Sequence, residues 1–422
     1  MQFEDKFDFS WQSLKQKGPI IGLSPMDGVT DAAYRLIQKK YGQPDVVFSE
    51  FVNVEGLCHK GIKLMHHFLY QLQFMVDWLE LEQKLGWPLK VKGVSERPVI
   101  AQIYGKTPTC FYQAALLAMH LGFDGVDINM GCPAKNVAKS GAGAGLIKTP
   151  TLAAEVVAAV KRARDDYRAG ANLDQAPDIS DEIKQLANLI RQLAFGKTEV
   201  LNLNRADLIS DSLPAEKEQV LRLRPLPVSV KTRIGYERPV TKSWTKHLLS
   251  LGIDALTLHG RTLRQAYTGR ADWQEIYVAA ELARQAGVVF LGNGDVLSYE
   301  QAYEKVNQFQ VDGVLIGRAS FGNPFVFRPK DFKPPVNLFQ VAVEHAFIYE
   351  KMTKTIHQLF DLVTSFEKIR LISDENLFLP MRKHLAWYVK GVPQAKKLRS
   401  KLMQTHSAEE VRQILSHWTL RV

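Results

Sequence analysis

Residues 123–146 read FDGVDINMGCPAKNVAKSGAGAGL, a hydrophobic segment that runs into a polar loop rich in glycine. Apolar and polar residues alternate from 125 to 129, which predicts a short β-strand. Gly131 and Pro133 then bracket Cys132, so we expect the thiol at the carboxyl end of this strand, on a conformationally restricted turn. A lone cysteine is usually a small buried hydrophobe, but the strand, the turn and the loop together favour a functional site.

Three glycines follow this cysteine at every second position, namely Gly141, Gly143 and Gly145. Because glycine has no Cβ, backbone amides at these positions are expected to approach a ligand closely. Such a pattern alone usually marks only a loop, so its weight comes from the strand and cysteine before it. The next helix is predicted to begin near Pro150.

The same unit of a strand followed by a helix recurs along the chain. Eight such units in strict alternation, with strands rich in Val, Ile and Leu, favour a (β/α)8 TIM barrel over an open doubly wound sheet. The residues at or just past the carboxyl ends of the strands support the barrel, because barrel enzymes build their sites on that face. The predicted strands are 20–26, 45–52, 97–105, 125–129, 226–235, 254–262, 288–295 and 311–320. The residues at their ends are Pro25, Met26, Glu50, Gln102, Asn129, Lys231, His259, Asn293 and Arg318.

Composition indicates a soluble globular protein larger than one ordinary domain, with 422 residues, 46% hydrophobic and 23% charged. There is no run of about 18 apolar residues and no signal-peptide pattern at the start, so we expect a cytoplasmic protein. Cys58, Cys110 and Cys132 are widely separated, which argues against a disulfide framework or a structural zinc site. The net charge of +10 suits a polyanionic partner but is weak evidence by itself.

Two regions are longer than the alternating pattern requires. An insertion of about 169–224 separates the fourth helix from the fifth strand, far beyond the usual connection length. Within it, residues 178–196 carry apolar side chains at helical spacing, which predicts an amphipathic helix. The stretch 56–93 is also long, and the spacing of its apolar residues between 64 and 79 is helical.

The last part of the chain changes character. Prolines near 329–335 mark a linker, after which residues 336–422 read as a helical domain, so residues 1–330 form the barrel domain. From 376 to 408 there is no acidic residue. Basic side chains there alternate with aromatic ones, which fits either a solvated helical face or a surface that binds nucleic acid.

Several motifs together resemble the tRNA-dihydrouridine synthase family, whose members are flavin enzymes that reduce uridine in tRNA. The specific one is INMGCPAKNVAKSGAGAGLIKTP at 128–150. The others are SPMDGVTDAAYR at 24–35, VSVKTRIG at 228–235, LHGRT at 258–262, GNGD at 292–295, IGRAS at 316–320 and MRKHLAWYVKG at 381–391. The resemblance implies an FMN-binding barrel and a C-terminal helical domain that binds tRNA. We expect NADPH as the reductant, although the sequence does not decide between NADPH and NADH.

The resemblance also implies roles for individual residues. Cys132 would donate a proton to C5 of uracil while reduced flavin supplies a hydride from N5 to C6, which requires a thiol rather than a thiolate. Lys231 and His259 would face the pyrimidine side of the flavin, and the turns after strands seven and eight would bind its phosphate. The expected cofactor-binding residues are Pro25, Met26, Gln102, Lys231, His259, Asn293, Gly294, Asp295, Gly317 and Arg318. The expected substrate-binding residues are Asn129, Arg261, Arg382, Lys383, Lys390, Lys397 and Arg399.

Two other functions remain open from the residues alone. One is a related flavin barrel that acts on a free pyrimidine or another small molecule, and the other is a non-catalytic RNA-binding protein on a barrel scaffold. The basic tail argues against the first, and a bound flavin would argue against the second. We expect no metal site, no membrane association and a monomer.

Overall fold

The computed structural model describes residues 9–60, 64–65, 95–132, 134–195, 213–266, 268–363 and 377–419. All nine strands within these ranges join one parallel sheet. They are β1 (Ile20–Leu23), β2 (Val47–Phe48), β3 (Val52–Asn53), β4 (Val99–Tyr104), β5 (Gly125–Met130), β6 (Val228–Arg233), β7 (Ala255–His259), β8 (Val289–Asn293) and β9 (Gly313–Ile316).

The sheet curls into a barrel. Its order is β1-β9-β8-β7-β6-β5-β4-β2, and β3 continues the line of β2 along β4. The two ends meet because the amide of Leu23 donates to the carbonyl of Val46, and that of Asp45 to Ile21, each at 2.9 Å. The TIM-barrel prediction is therefore confirmed, and the open sheet is excluded.

Helices cover the outside of the barrel and build the C-terminal part. Asp31 caps the second helix by accepting from the amide of Tyr34. The helices are α1 (Trp11–Gln16), α2 (Ala32–Ile37), α3 (Val54–Lys60), α4 (Pro108–Leu121), α5 (Lys135–Lys139), α6 (Pro150–Arg168), α7 (Asp181–Phe195), α8 (Ala215–Leu223), α9 (Thr241–Ser250), α10 (Trp273–Gln285), α11 (Tyr299–Phe309), α12 (Leu338–Val363), α13 (Leu379–Tyr388), α14 (Ala395–Leu402) and α15 (Ala408–Thr419).

The barrel interior is apolar at one end and polar at the other. Near the amino ends of the strands, Trp11 of α1 stacks on Phe48 with ring centroids 6.2 Å apart. These rings share one buried cluster with Ile100, Leu291 and Leu315. Hydrophobic packing therefore fills the lower half of the barrel, and the polar interior residues are left for the carboxyl end.

The insertion packs against the outer layer of helices. The predicted amphipathic helix is present as α7, whose Ile183, Leu186 and Ile190 are buried. It lies against α4 of the barrel and against α12, the long helix of the C-terminal region. Most of the predicted helical spacing between 64 and 79 lies outside the described residues.

The C-terminal helices pack directly on the barrel. Helix α12 lies against α2, and Trp387 of α13 stacks on Phe321 with ring centroids 4.0 Å apart. His384, also on α13, is buried 3.5 Å from the carboxylate of Asp31. The α13 segment is thus fixed beside the loop that follows β1, at the carboxyl end of the barrel.

Candidate active site

Strand register brings the predicted polar residues together at the carboxyl end of the barrel. Gln102 pairs in register with Asp127, and Asp127 with Ser229. One step further along, Asn129 lies beside Lys231. The next row contains Arg233, His259 and Asn293 on β6, β7 and β8. Residues of one parity on a strand share a face, so these side chains line one site.

The loop after β5 folds back over its own cysteine. Cys132 is only 3% exposed. Side chains at two of the glycines that follow Cys132 would clash with the loop itself, and the expected approach of these backbone amides to a ligand stays a prediction. A Cβ on Gly143 would lie 3.0 Å from the Cβ of Cys132, and one on Gly145 would lie 2.8 Å from the carbonyl of Ala138. Before the predicted helix start at Pro150, which the structure confirms, the loop also forms α5 and a 3-10 turn at Gly143–Lys148.

The Cys132 thiol lies between opposite charges. Burial raises its pKa, and the nearby carboxylate of Asp27 raises it further. Arg233 and Lys231 act in the other direction without reversing the shift. The group is therefore a protonated thiol at neutral pH, the state that a proton donor requires.

A line of hydrogen bonds runs under this loop. The hydroxyl of Ser229 donates to one oxygen of Asp127, and the amide nitrogen of Gln102 donates to the other, each at 2.6 Å. Asn129 donates to the oxygen of Gln102 at 3.0 Å. The backbone amide of Gly131 then donates to the oxygen of Asn129 at 2.9 Å.

The wall formed by β6 and β7 is positively charged. Burial lowers the pKa of Lys231 to about 8, and the adjacent Arg233 lowers it too. Within the described ranges, Nζ of Lys231 has no hydrogen bond and no ion pair. Burial, followed by the fields of Arg233 and Lys231, lowers the pKa of His259 well below its usual value, so the imidazole is neutral. Such a wall suits an anionic ligand.

The turns after β8 and β9 meet at one carboxylate. Asp295 accepts two hydrogen bonds from Arg261, at 2.8 and 3.0 Å, and one from Arg318 at 3.2 Å. Burial opposes ionisation of Asp295, but the amide of Ala271 and the two arginines lower its pKa overall. Asn293 donates to the carbonyl of Leu315 and so ties the two strand ends together.

The loop after β1 closes the same end of the barrel. Pro25 and Met26 are half-buried, and a Cβ on Gly317 would lie 3.5 Å from the sulfur of Met26. Gly294 stands against the ring of His259 in the same way, at 3.1 Å. All ten residues predicted to bind the cofactor therefore lie on the strands, or on the loops that directly follow them, at one end of the barrel.

The predicted substrate residues of the C-terminal region differ in exposure and in their contacts. Lys390, Lys397 and Arg399 are exposed. Nζ of Lys383 lies 3.2 Å from the Cβ position of Gly28. This position is next to the mouth of the barrel, the opening at the carboxyl ends of the strands. Arg382 instead donates to the carbonyl of Thr405 at 2.7 Å and so joins α13 to the segment after α14.

Several residues of the site are absent from the sequence prediction. Asp127 and Ser229 anchor the hydrogen-bonded line, and Arg233 donates to the carbonyl of Gly131 at 2.7 Å. Tyr104 ends β4 close enough to Cys132 for the thiol to affect its pKa, which burial raises. The signal for Asp127 and Arg233 was a charged residue inside an otherwise buried strand.

Neither a membrane span nor a metal site is evident in the described part of the chain. No single helix there is long and apolar enough to cross a bilayer. One bent pair of helical segments, Asn136–Lys148 with Pro150–Arg168, passes on length and composition only. Those residues also contain no group of three or more His, Cys, Asp and Glu side chains that could hold a metal ion.

A closed parallel barrel with polar side chains gathered at the carboxyl ends of its strands is the architecture of a barrel enzyme. The family model described as dihydrouridine synthase (Dus) matches residues 22–169 and 202–421. The chain belongs to the dihydrouridine synthase family, an oxidoreductase class. The gap between the two matched segments, residues 170–201, lies within the predicted insertion.

Curated relatives align with this chain over nearly its full length. The chain is 29% identical over 420 residues to the probable tRNA-dihydrouridine synthase of Staphylococcus epidermidis, covering 98% of this chain and 97% of that one. It is 28% identical over 410 residues to the probable tRNA-dihydrouridine synthase 2 of Bacillus subtilis, covering 96% and 95%. The similarity therefore includes both the barrel and the C-terminal helices.

Proposed function

We propose that this protein reduces uridine in tRNA to 5,6-dihydrouridine, with FMN as its cofactor and NADPH as the reductant. The observation that carries the proposal is the Cys132 thiol, which is protonated and held at the mouth of the barrel. It lies close to the Lys231 cation and to the amide of Asn129. Membership of the dihydrouridine synthase family supports the same reaction.

The side chains of the mouth fit FMN. Lys231 is a half-buried cation without a partner among the described residues, beside Arg233 and the neutral His259. This wall would stabilise negative charge on the pyrimidine side of a flavin ring. Arg318, 55% exposed, and the backbone turns after β8 and β9 would hold the phosphate.

The chain's own part in the reaction is binding and proton transfer. Reduced FMN, when bound, supplies the hydride for C6 of uracil. Sγ of Cys132 donates the proton to C5, and its raised pKa keeps that proton available at neutral pH. Asn129 would orient the uracil with the N–H that it does not donate to Gln102, while its oxygen accepts from Gly131.

The C-terminal helices support tRNA rather than a free pyrimidine as the substrate. Lys383 reaches the loop after β1, and Lys390, Lys397 and Arg399 extend the exposed positive surface away from the mouth. A uracil stacked within folded RNA must be extruded to reach the flavin, and the unstacking cost of a few kcal/mol is offset by backbone contacts elsewhere. A cytoplasmic location and a monomeric state belong to the same proposal.

Replacing Cys132 with Ala tests the proposal. We expect Cys132→Ala to retain FMN and tRNA binding and to lose dihydrouridine formation by roughly 10²–10⁴-fold, the usual effect of removing a general acid. Dihydrouridine in tRNA is the measurement. Cys110→Ala is the control, because Cys110 is also a buried cysteine but lies on α4.

The alternatives give different results in the same experiments. Near-normal dihydrouridine formation by Cys132→Ala would contradict the assignment of the proton donor. Activity on free uridine but not on tRNA would favour a small-molecule flavin enzyme. Purified protein without the visible absorption of a flavin would favour a non-catalytic RNA-binding protein.

A further inference from the structure

We infer that Asp127 is a positioning residue, which acts through Gln102 and Asn129 to set the hydrogen-bonding groups offered by the site and the place of the Cys132 loop. The inference deepens the proposed function and rests on it for the role of the site. Asp127 is fully buried in β5 and lies below the mouth, so it acts through its neighbours.

The two ends of the hydrogen-bonded line determine its direction. A carboxylate can only accept, and a backbone N–H can only donate. Gln102 must therefore turn its NH2 group to Asp127, at 2.6 Å, and its oxygen to Asn129, at 3.0 Å. Asn129 must in turn point its oxygen at the amide of Gly131, at 2.9 Å. Only this arrangement satisfies all three bonds.

The direction of the line decides what the site offers to a ligand. Each amide nitrogen has two hydrogens, and the line uses one of each, so Gln102 and Asn129 both keep one N–H. Both amide oxygens already accept one hydrogen bond within the line. The pair therefore offers donors, which match the carbonyl oxygens of a pyrimidine or flavin ring. The same line ends on Gly131, directly before Cys132, and so holds the reactive loop.

The carboxylate stays ionised under ordinary conditions. Burial raises the pKa of Asp127 to about 6, against the hydrogen bonds from Ser229 and Gln102 and the field of Lys231. Above that pH the group accepts from Gln102 and cannot donate to it. Asp127 is fully buried within the barrel, and its two oxygens already accept from Gln102 on β4 and from Ser229 on β6.

An isosteric exchange of the two side chains tests the inference. In Gln102→Glu, two carboxylates face each other and the line is broken. In the double variant Asp127→Asn with Gln102→Glu, the new amide donates to the new carboxylate, which accepts from Asn129 as before. The size and net charge of the pair are those of the wild type. The double variant thus restores the direction towards Gly131, although the carboxylate introduced at position 102 lacks the N–H that Gln102 offered to a ligand.

Two readouts separate these effects in the full-length protein. One is the rate at which iodoacetamide alkylates Cys132, followed by mass spectrometry, and the other is the FMN retained after dialysis. We expect Gln102→Glu to speed alkylation of Cys132 roughly tenfold, because the loss of one buried hydrogen bond would loosen the loop by about that factor. The double variant should return to within about threefold of wild type. FMN retention should fall in both variants.

The contrary outcomes are equally distinct. Unchanged alkylation in Gln102→Glu, or no recovery in the double variant, would overturn the inference. If Gln102→Glu does not fold, Asp127→Asn with Ser229→Ala replaces it, since the amide introduced at position 127 then has only Gln102 to donate to. That variant should speed alkylation while Ser229→Ala alone does not. Wild-type protein without FMN would contradict the proposed function, but the alkylation result needs no cofactor.

Discussion

Arg261 and Arg318 share the carboxylate of Asp295 but differ in what else they can do. The Arg261 side chain is 3% exposed and also donates to the carbonyls of Thr268 and Gly269. The Arg318 side chain is 55% exposed and lies directly after β9. Arg261 therefore fixes the turn, and its expected contact with substrate stays a prediction. Arg318 has the exposure that a phosphate ligand requires.

Replacing Arg318 with Ala should weaken FMN binding and leave the fold intact. A hydrogen bond to a charged group contributes about 1.5–3 kcal/mol, so roughly 10- to 100-fold of affinity should be lost. The flavin-to-protein ratio after dialysis measures it. Arg284→Ala is the control, because Arg284 is exposed at the end of α10 and pairs with Glu281. Full flavin retention by Arg318→Ala would show that the phosphate lies elsewhere.

The sequence predicts a residue of the site well when one strand determines its place. Cys132, Lys231 and His259 each lie at the end of their own strand, and the structure places all three at the mouth. Asp127 depends on Gln102 and Ser229, which lie on two other strands. Strand register is set by packing and is not readable from local sequence, so this link was not predicted.

The barrel and the C-terminal helices are closely packed against each other. Gly322 has φ +66°, and a Cβ there would lie 2.4 Å from the carbonyl carbon of Trp387. Backbone atoms cannot give way as a flexible side chain can. Gly322→Ala should therefore push α13 away from the barrel and destabilise the protein by about 3 kcal/mol or more. Urea unfolding measures the change.

Gly391 provides a matched control for this substitution. It also has a left-handed backbone, with φ +84°, but no atom lies within 4 Å of its Cβ position. Gly391→Ala should cost only the backbone strain, about 1–2 kcal/mol. Equal destabilisation by the two variants would mean that the close approach of Gly322 to Trp387 adds nothing to the loss of stability in Gly322→Ala.

The elements that sequence reasoning missed are short or depend on distant contacts. The long, alternating or periodic segments, namely the strands, α6 and α7, were predicted. Helix α1 has six residues, too few for a periodic pattern, and the packing of Trp11 under the barrel gives it its place. The turns of the cysteine loop follow from packing around Cys132, which local sequence does not show.

The insertion and the C-terminal helices pack together on the outside of the barrel and support each other. Helix α7 lies between α4 of the barrel and α12, and Arg191 on α7 donates to Glu218 of α8 at 2.5 Å. The described part of the insertion therefore lies far from the mouth. It supports α12, the helix that leads into α13 and α14. The positive surface of α13 and α14 is consequently held in a fixed direction from the site.

This arrangement leads to a prediction about salt dependence. Replacing Lys390, Lys397 and Arg399 together with Ala should weaken tRNA binding and flatten its dependence on salt. Each phosphate contact contributes about 0.7–0.9 to the slope of log K against log salt, so up to about 2–3 should be lost. Arg382 is left in place because it holds α13 to Thr405, and its loss would change the fold of the tail.

A control with the same change in charge distinguishes a docking surface from net charge alone. Lys242, Lys246 and Arg284 are exposed on α9 and α10, away from the C-terminal helices, and their triple Ala variant also loses three cations. NADPH oxidation by the enzyme-bound flavin should be unchanged in both variants, because neither set lies at the mouth. Only the triple variant of Lys390, Lys397 and Arg399 should show a smaller slope of log K against log salt and less dihydrouridine formation on tRNA. If both variants lose slope equally, the tail is a solvated helical face and tRNA binds through the general positive charge of the protein.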